Sequence, residues 1–294
     1  EFRRVLFRSG SDKSDNTVSG SSSLISTTGD ITFGDAVFND GRDNAALNSL
    51  SVTANAGSVT LASSVGTKTN NALKDVAISA QTVLLSGNIT VKTTGTQTYT
   101  AASVTGTGSF TADGASVINS DCTFSASSLS FERITTEKTL TLNATTIHIS
   151  DDSSYGSLSL TGAGATVSFG AGKTQTVTGA FSAAGTSANP ILLTTDAASP
   201  SLTDESTWWI LTMPNFSADD VTASFPAFTN THVSYARAVN DIAHAWDTTV
   251  SEGERDSTIN WFLTTFYWLG TTDSSWTNAK NWAYDSEGTG AAGR

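Results

Sequence analysis

Three tryptophans, Trp268, Trp276 and Trp282, are spaced as a set of aromatic faces that could stack on sugar rings. A small aromatic core starting a further module is the plainer reading of the same residues. His148, His232 and His244 lie far apart with no metal-ligand spacing, and His148 sits between Ile147 and Ile149, where alternation turns it outward. Cys122 is the one cysteine, so no intrachain disulfide can form, and a small buried filler is its default role. Gly172-Lys173-Thr174 mimics the end of a phosphate loop, but Val167 stands where the first glycine belongs and no helix start follows. Gly288-x-Gly290-x-x-Gly293 has dinucleotide spacing without the strand and helix that give it meaning. No Gly-x-Ser-x-Gly elbow occurs.

The carboxylates are equally sparse in chemistry. Asp151-Asp152 and Asp219-Asp220 are adjacent pairs, which on a strand would point to opposite faces. Glycoside hydrolysis instead needs two carboxyls converging about 5–10 Å apart. Asp40-Gly41-Arg42-Asp43 reads as a turn that could offer oxygens to Ca²⁺, although a solvated turn explains it as well. Asn88, Asn143 and Asn215 fit the N-glycosylation pattern, as chance allows in so hydroxyl-rich a chain. No catalytic, cofactor-binding or metal-ligating residue is assigned. The chain is expected not to be an enzyme and to need no cofactor.

The segments that hold these residues share one pattern. Leu50/Val52, Val59/Leu61, Val76/Ile78, Ile89/Val91, Leu140/Leu142, Ile147/Ile149, Leu158/Leu160 and Val167/Phe169 alternate with Thr, Ser or small residues. A period of two puts aliphatics on one face of a strand and hydroxyls on the other. Branched Thr and Val suit a pleated surface, and Gly, Asn and Asp punctuate the runs. No long window has a 3.6-residue period, so almost no helix is expected.

The runs also repeat. Ala46–Ala54 recurs as Ala72–Ala80 at an offset of 26 residues. Thr96-Gln97-Thr98-Tyr99-Thr100 recurs as Thr174-Gln175-Thr176-Val177-Thr178 at an offset of 78, which suggests three such units. Looser copies of Gly-x-(Ile/Val)-Thr-(Phe/Leu/Val) start at Gly29, Gly57 and Gly87. Self-similarity on this scale marks a solenoid or an array. One unit has too few aliphatics to offset the entropy of ordering its backbone, so neighbours must share a core. A parallel β-helix does this coil by coil. An antiparallel sandwich array would also alternate but normally shows Asn-Gly hairpins, and no Asn-Gly occurs.

Composition agrees. Of 294 residues, 42 are Ser and 48 are Thr, with a net charge of −12 and only 14% charged residues. The acidic balance argues against nucleic acid or an anionic membrane as partner. No apolar run is long enough to span a bilayer as a helix. Residues 1–10, which hold Arg3, Arg4 and Arg8, match nothing downstream and read as an adapter-like, disordered lead. Residues 11–189 are expected to form the β-helix repeats. All four prolines and all seven tryptophans lie beyond residue 186, so 190–265 is expected to be irregular terminal β coils or a subdomain. Within it, Trp208-Trp209-Ile210-Leu211 reads as a buried strand. Residues 266–294 read as the truncated start of a further module.

Gly29–Val37, Gly57–Gly66 and Gly87–Thr100 resemble coils of large repetitive bacterial surface proteins of the filamentous-haemagglutinin and autotransporter-passenger kind. Asp256–Phe262 is similar to the closure that follows such repeats, and Trp268–Trp282 to the opening of a further module. The resemblance covers roughly 29–110 well and 165–284 loosely. It implies an all-β, right-handed parallel β-helix (solenoid), export to the cell surface or beyond, and a role in adhesion or surface structure; the Pro- and Trp-containing 190–262 departs from it, so an irregular C-terminal β segment is expected there. It implies no catalytic residues. Partners would be host or environmental glycans or surface proteins. The rival expectations are a carbohydrate-binding module centred on the C-terminal aromatics and a polysaccharide-degrading β-helix.

Overall fold

A computed structural model describes residues 21–39, 48–67, 72–215 and 227–239, with short strand segments at 8–9, 16–18, 258–259, 267–268 and 282–283. Within these, strands wind into a parallel β-helix in which each turn lays down up to three short strands. From Ser22 to Ala238 the described strands pair in parallel with their counterparts one turn away, so the faces are ladders. Face one includes Ile31–Phe33, Cys122–Ser125, Thr139–Asn143, Ser157–Leu160 and Phe181–Ala184. Face two includes Thr146–Ile149, Thr166–Phe169, Ile191–Thr195 and Thr231–Val233. Face three includes Ser22–Ser26, Ser153–Tyr155, Thr174–Val177, Trp209–Thr212 and Ala236–Ala238.

The alternation in sequence sets what faces inward. Leu50 pairs in register with Val76, and both are buried in one interior. On face two, Ile89, Phe110, Leu129, Ile147, Val167, Leu193 and Val233 form one buried column. Burying such side chains contributes about 1.5–3 kcal/mol each, and the contacts exist only because the next coil is present. In the middle coils the columns are aromatic. Tyr99, Phe110, Phe124 and Phe131 meet edge-on or tilted, with centroids 5.3–6.1 Å apart.

The interior is not wholly apolar. Gln97 and Gln175 are buried, and each accepts a hydrogen bond at 2.9 Å from a buried tyrosine hydroxyl, Tyr99 and Tyr155 respectively. Gln97 Nε2 donates to the Val91 carbonyl in its own turn at 2.8 Å and to the Asp113 carbonyl of the next at 3.0 Å. Burial pushes both tyrosine hydroxyls well above their ordinary pKa, so they stay neutral donors.

The turn length corrects the 26-residue unit. Register partners are 26 residues apart from Leu50 to Val76, 21 from Ile89 to Phe110, 18 from Leu129 to Ile147, and 40 from Leu193 to Val233. The ladder runs from Gln97 to Ser116, on past Ile134 to Ser153, and thence to Gln175. The two Thr-Gln-Thr segments are therefore four short turns apart rather than three long ones. Strand register is conserved by inward side chains, while corners absorb insertions and deletions at little cost to it.

The corners have their own chemistry. Asp30, Asp75, Asn88, Asp121 and Asp152 each accept, through a side-chain oxygen, a backbone N–H of the following turn, at 2.6–2.9 Å. Glycine stacks over glycine where corners touch. A Cβ on Gly57 would lie 2.5 Å from the Gly29 carbonyl oxygen, and one on Gly108 would lie 2.2 Å from that of Gly87.

Parallel pairing continues past residue 190. Gln175 pairs with Leu211, Trp209 with Ala236, and Ala236 with Thr258. The strand Trp209–Thr212 is buried through Trp209 and Leu211, as its composition suggested. The insertion between faces two and three, 196–208, holds a short 3-10 turn, Glu205–Thr207, capped by Asp204. Arg8–Ser9 pairs antiparallel with residues 16–17.

Candidate functional site

The outward face of each ladder is set by the residues between the buried columns. On face one, Ser58, Thr82, Ser103, Thr123, Thr141, Ser159 and Ser182 occupy one outward column in register. A second column runs through Thr32, Thr60, Leu84, Thr105, Ser125 and Asn143. No described strand of face one carries Lys, Arg, Asp, Glu or His. Parallel ladders space these hydroxyls at about 4.8 Å, so the face is a near-regular sheet of donors and acceptors. At its edge is a shallow depression of about 360 Å³ lined by Ala102, Asp121, Cys122, Thr123, Thr139 and Thr141.

The outer side of face two and its corner with face three are the opposite. Lys92 pairs with Asp113, Lys173 Nζ lies 2.7 Å from Asp151 Oδ1, and His148 Nε2 lies 3.1 Å from Asp196 Oδ2. Farther along, Arg237 approaches Glu205 at 3.9 Å. The Lys173 ammonium beside Asp151 holds its carboxyl below the usual range, with the Asp152 backbone N–H and Arg133 adding to the effect. The same pairing raises Lys173. These contacts join neighbouring or next-neighbouring turns, and such exposed pairs are worth little individually.

The residues singled out in sequence fall as follows. Trp268 and Trp282 are register partners in a two-stranded antiparallel pair, Tyr267–Trp268 with Trp282–Ala283. Trp276 lies outside the described residues, as do His244, Asp219-Asp220 and the Asp40–Asp43 turn. His148 faces outward as alternation requires. Cys122 is buried, and desolvation pushes its thiol up to about 12, which leaves it a poor nucleophile. Lys173 belongs to an ion pair in a corner. The opposite-face reading of Asp151-Asp152 fails because the pair sits in a bend, where both carboxylates reach the next turn: Asp151 to Lys173, Asp152 to the Thr174 N–H. Asn88 uses its Oδ1 to hold Ser109 N–H, and Asn215 Nδ2 donates to the Thr178 carbonyl.

Among the described residues no three His, Cys, Asp or Glu side chains are grouped to hold a metal ion, and no helix is long and apolar enough to cross a membrane. The corner Asp/Asn ladder and the buried Gln–Tyr pairs escaped the sequence reading. The signal was present: the alternation that places Tyr99 inward places Gln97 inward too. No protein-family model, curated protein or solved structure matches the chain.

Proposed function

We propose that the chain is a non-enzymatic structural and adhesive segment of a secreted or surface-anchored bacterial protein, similar in kind to filamentous haemagglutinin and autotransporter passengers. Its β-helix is a stalk, and face one is the surface offered to glycans or surface proteins. The observation that carries this reading is the segregation of charge. In a chain of net charge −12, the described strands of face one carry no charged side chain and present mainly hydroxyls. A neutral, hydroxyl-dense face can approach a neutral, hydroxylated partner without desolvating ions. The depression at Asp121, Thr123, Thr139 and Thr141 favours glycans among such partners, because one carboxylate oxygen and several hydroxyls surround it.

Beads coated with the purified chain test this on surfaces of mucin, cellulose and collagen. The reading expects retention on at least one, and at least a tenfold loss when Thr123, Thr141 and Ser159 are all replaced by Lys with the far-UV spectrum unchanged. Retention on none of the three, or equal retention of the triple-lysine variant, contradicts it.

A further inference from the structure

We infer that face one also binds ice, an activity beyond the adhesion to glycans and surface proteins proposed above. Its outward columns form a lattice in two directions. Along each column the repeat is the strand spacing of a parallel ladder, about 4.8 Å, and along each strand it is two residues of rise, about 6.6 Å. Ser58-x-Thr60, Ser103-x-Thr105 and Thr123-x-Ser125 put a hydroxyl at both lattice points of their strands. The first column carries a hydroxyl on all seven strands from Ser58 to Ser182. The second has hydroxyls at Thr32, Thr60, Thr105 and Ser125, with an aliphatic break at Leu84 and an amide at Asn143.

Backbone register sets both repeats, so the array is rigid. Its side chains also bond along the columns: Ser103 Oγ donates to Thr82 Oγ1 at 3.3 Å, and Ser182 Oγ to Ser159 Oγ at 3.1 Å. A hydroxyl has one donor and two acceptor positions, so each keeps capacity for an outside partner. The partner that gains most from such an array is a solid that is itself a repeating lattice of O–H donors and acceptors. Ice is such a solid, and the ladder repeat is close to its oxygen spacing along the hexagonal axes. Each contact is weak, but two rigid surfaces in register make many at once and lose their freedom of motion only once. Ions would spoil the fit, because an ammonium or carboxylate holds its own hydration shell. The described strands of face one carry none, whereas Lys92, Asp113 and His148 interrupt the outer side of face two.

A single ice crystal held in a supercooled drop of the purified chain tests this. The inference expects a faceted crystal whose growth is arrested over an interval below the melting point. Replacing Thr123 and Thr141 together by Tyr raises two rings above the lattice, and should abolish most of that interval with the far-UV spectrum unchanged. Thr98→Tyr, in the outward column of face three, should keep it. Growth of ice at its melting point in the presence of the native chain overturns the inference, and leaves the adhesive reading intact if the chain is still retained on mucin, cellulose or collagen. So does an interval that survives the paired Tyr substitution, or that Thr98→Tyr removes equally. Arrested growth without retention on any of those three surfaces overturns the adhesive reading alone. If the paired variant does not fold, the native chain and Thr98→Tyr decide.

Discussion

The middle turns, from Ile89 to Ile149, and the later ones, from Val167 to Val233, are built on the same columns with different corners. In the middle, successive turns need 18–21 residues and the strands are joined by two or three residues, among them Ala101-Ala102, Asn119-Ser120-Asp121 and Thr136-Glu137-Lys138. Later, a turn takes 26 and then 40 residues, and the corner between faces two and three holds the insertion 196–208. The aromatic packing differs as well. Phe124 is fully buried among Tyr99, Phe110 and Phe131, whereas Phe228 is 8% exposed and meets Phe181 edge-on. The difference teaches that register depends on the inward side chains, not on turn length. Long corners are tolerated because loop entropy grows only slowly with length.

The largest expected effect separates the two regions. Phe124→Ala should cost about 3–5 kcal/mol, since its cavity is walled by other rings on several sides, and Phe228→Ala distinctly less. Urea unfolding followed by circular dichroism measures both, and equal losses would erase the distinction. Corner glycines come next. Gly108→Ala forces a Cβ into the Gly87 backbone and should cost up to about 3 kcal/mol. Gly172, at φ +68° with its nearest neighbour 3.3 Å away, should lose only the left-handed penalty of about 1 kcal/mol when changed to Ala. A Gly108→Ala chain as stable as the native would show that the corners are not in contact.

The smallest effect is the response to acid. Hydrogen bonds from the Ser58 backbone and hydroxyl lower the Asp30 pKa, Lys173 lowers that of Asp151, and the Ser206 hydroxyl and backbone lower that of Asp204. A carboxyl whose folded pKa is depressed adds stability that is present above its ordinary value of 3.8. That stability disappears as pH falls through the lower folded value. The urea midpoint should therefore hold steady from neutral pH to the ordinary carboxylate value and fall below it, with Asp30→Asn and Asp204→Asn flattening the fall. A midpoint that rises on acidification would contradict the assignment.

The alternation of Leu50/Val52 with Ser51/Thr53 made the strands, their inward faces and the stacked architecture legible, because a period of two is a direct image of the pleat. The turn length was not legible. The Ala46–Ala54 repeat comes from a long early turn, and corner deletions further on erase the period without changing the register. Gln97 is buried although glutamine is ordinarily exposed, and its position two residues from Tyr99 fixes its side. The corner role of Asp30, Asp75 and Asp152 depends on contacts across a whole turn, which spacing along the chain does not reveal. Of the three candidate tryptophans, the structure brings Trp268 and Trp282 opposite each other in register, a pairing that a 14-residue separation could not specify.

The stacking of turns is tested most directly by pyrene labels placed where only the register brings them together. Thr141 and Ser159 are register partners on face one, 18 residues apart in sequence, whereas Ser168 lies on face two. Native Cys122 is buried and its thiol pKa is about 12, so labelling of the folded chain is confined to the introduced cysteines. The account predicts strong excimer emission from a Thr141→Cys, Ser159→Cys chain and monomer emission from a Thr141→Cys, Ser168→Cys chain. Monomer emission from the first pair, with the chain folded, would contradict the coil stack on which everything else rests.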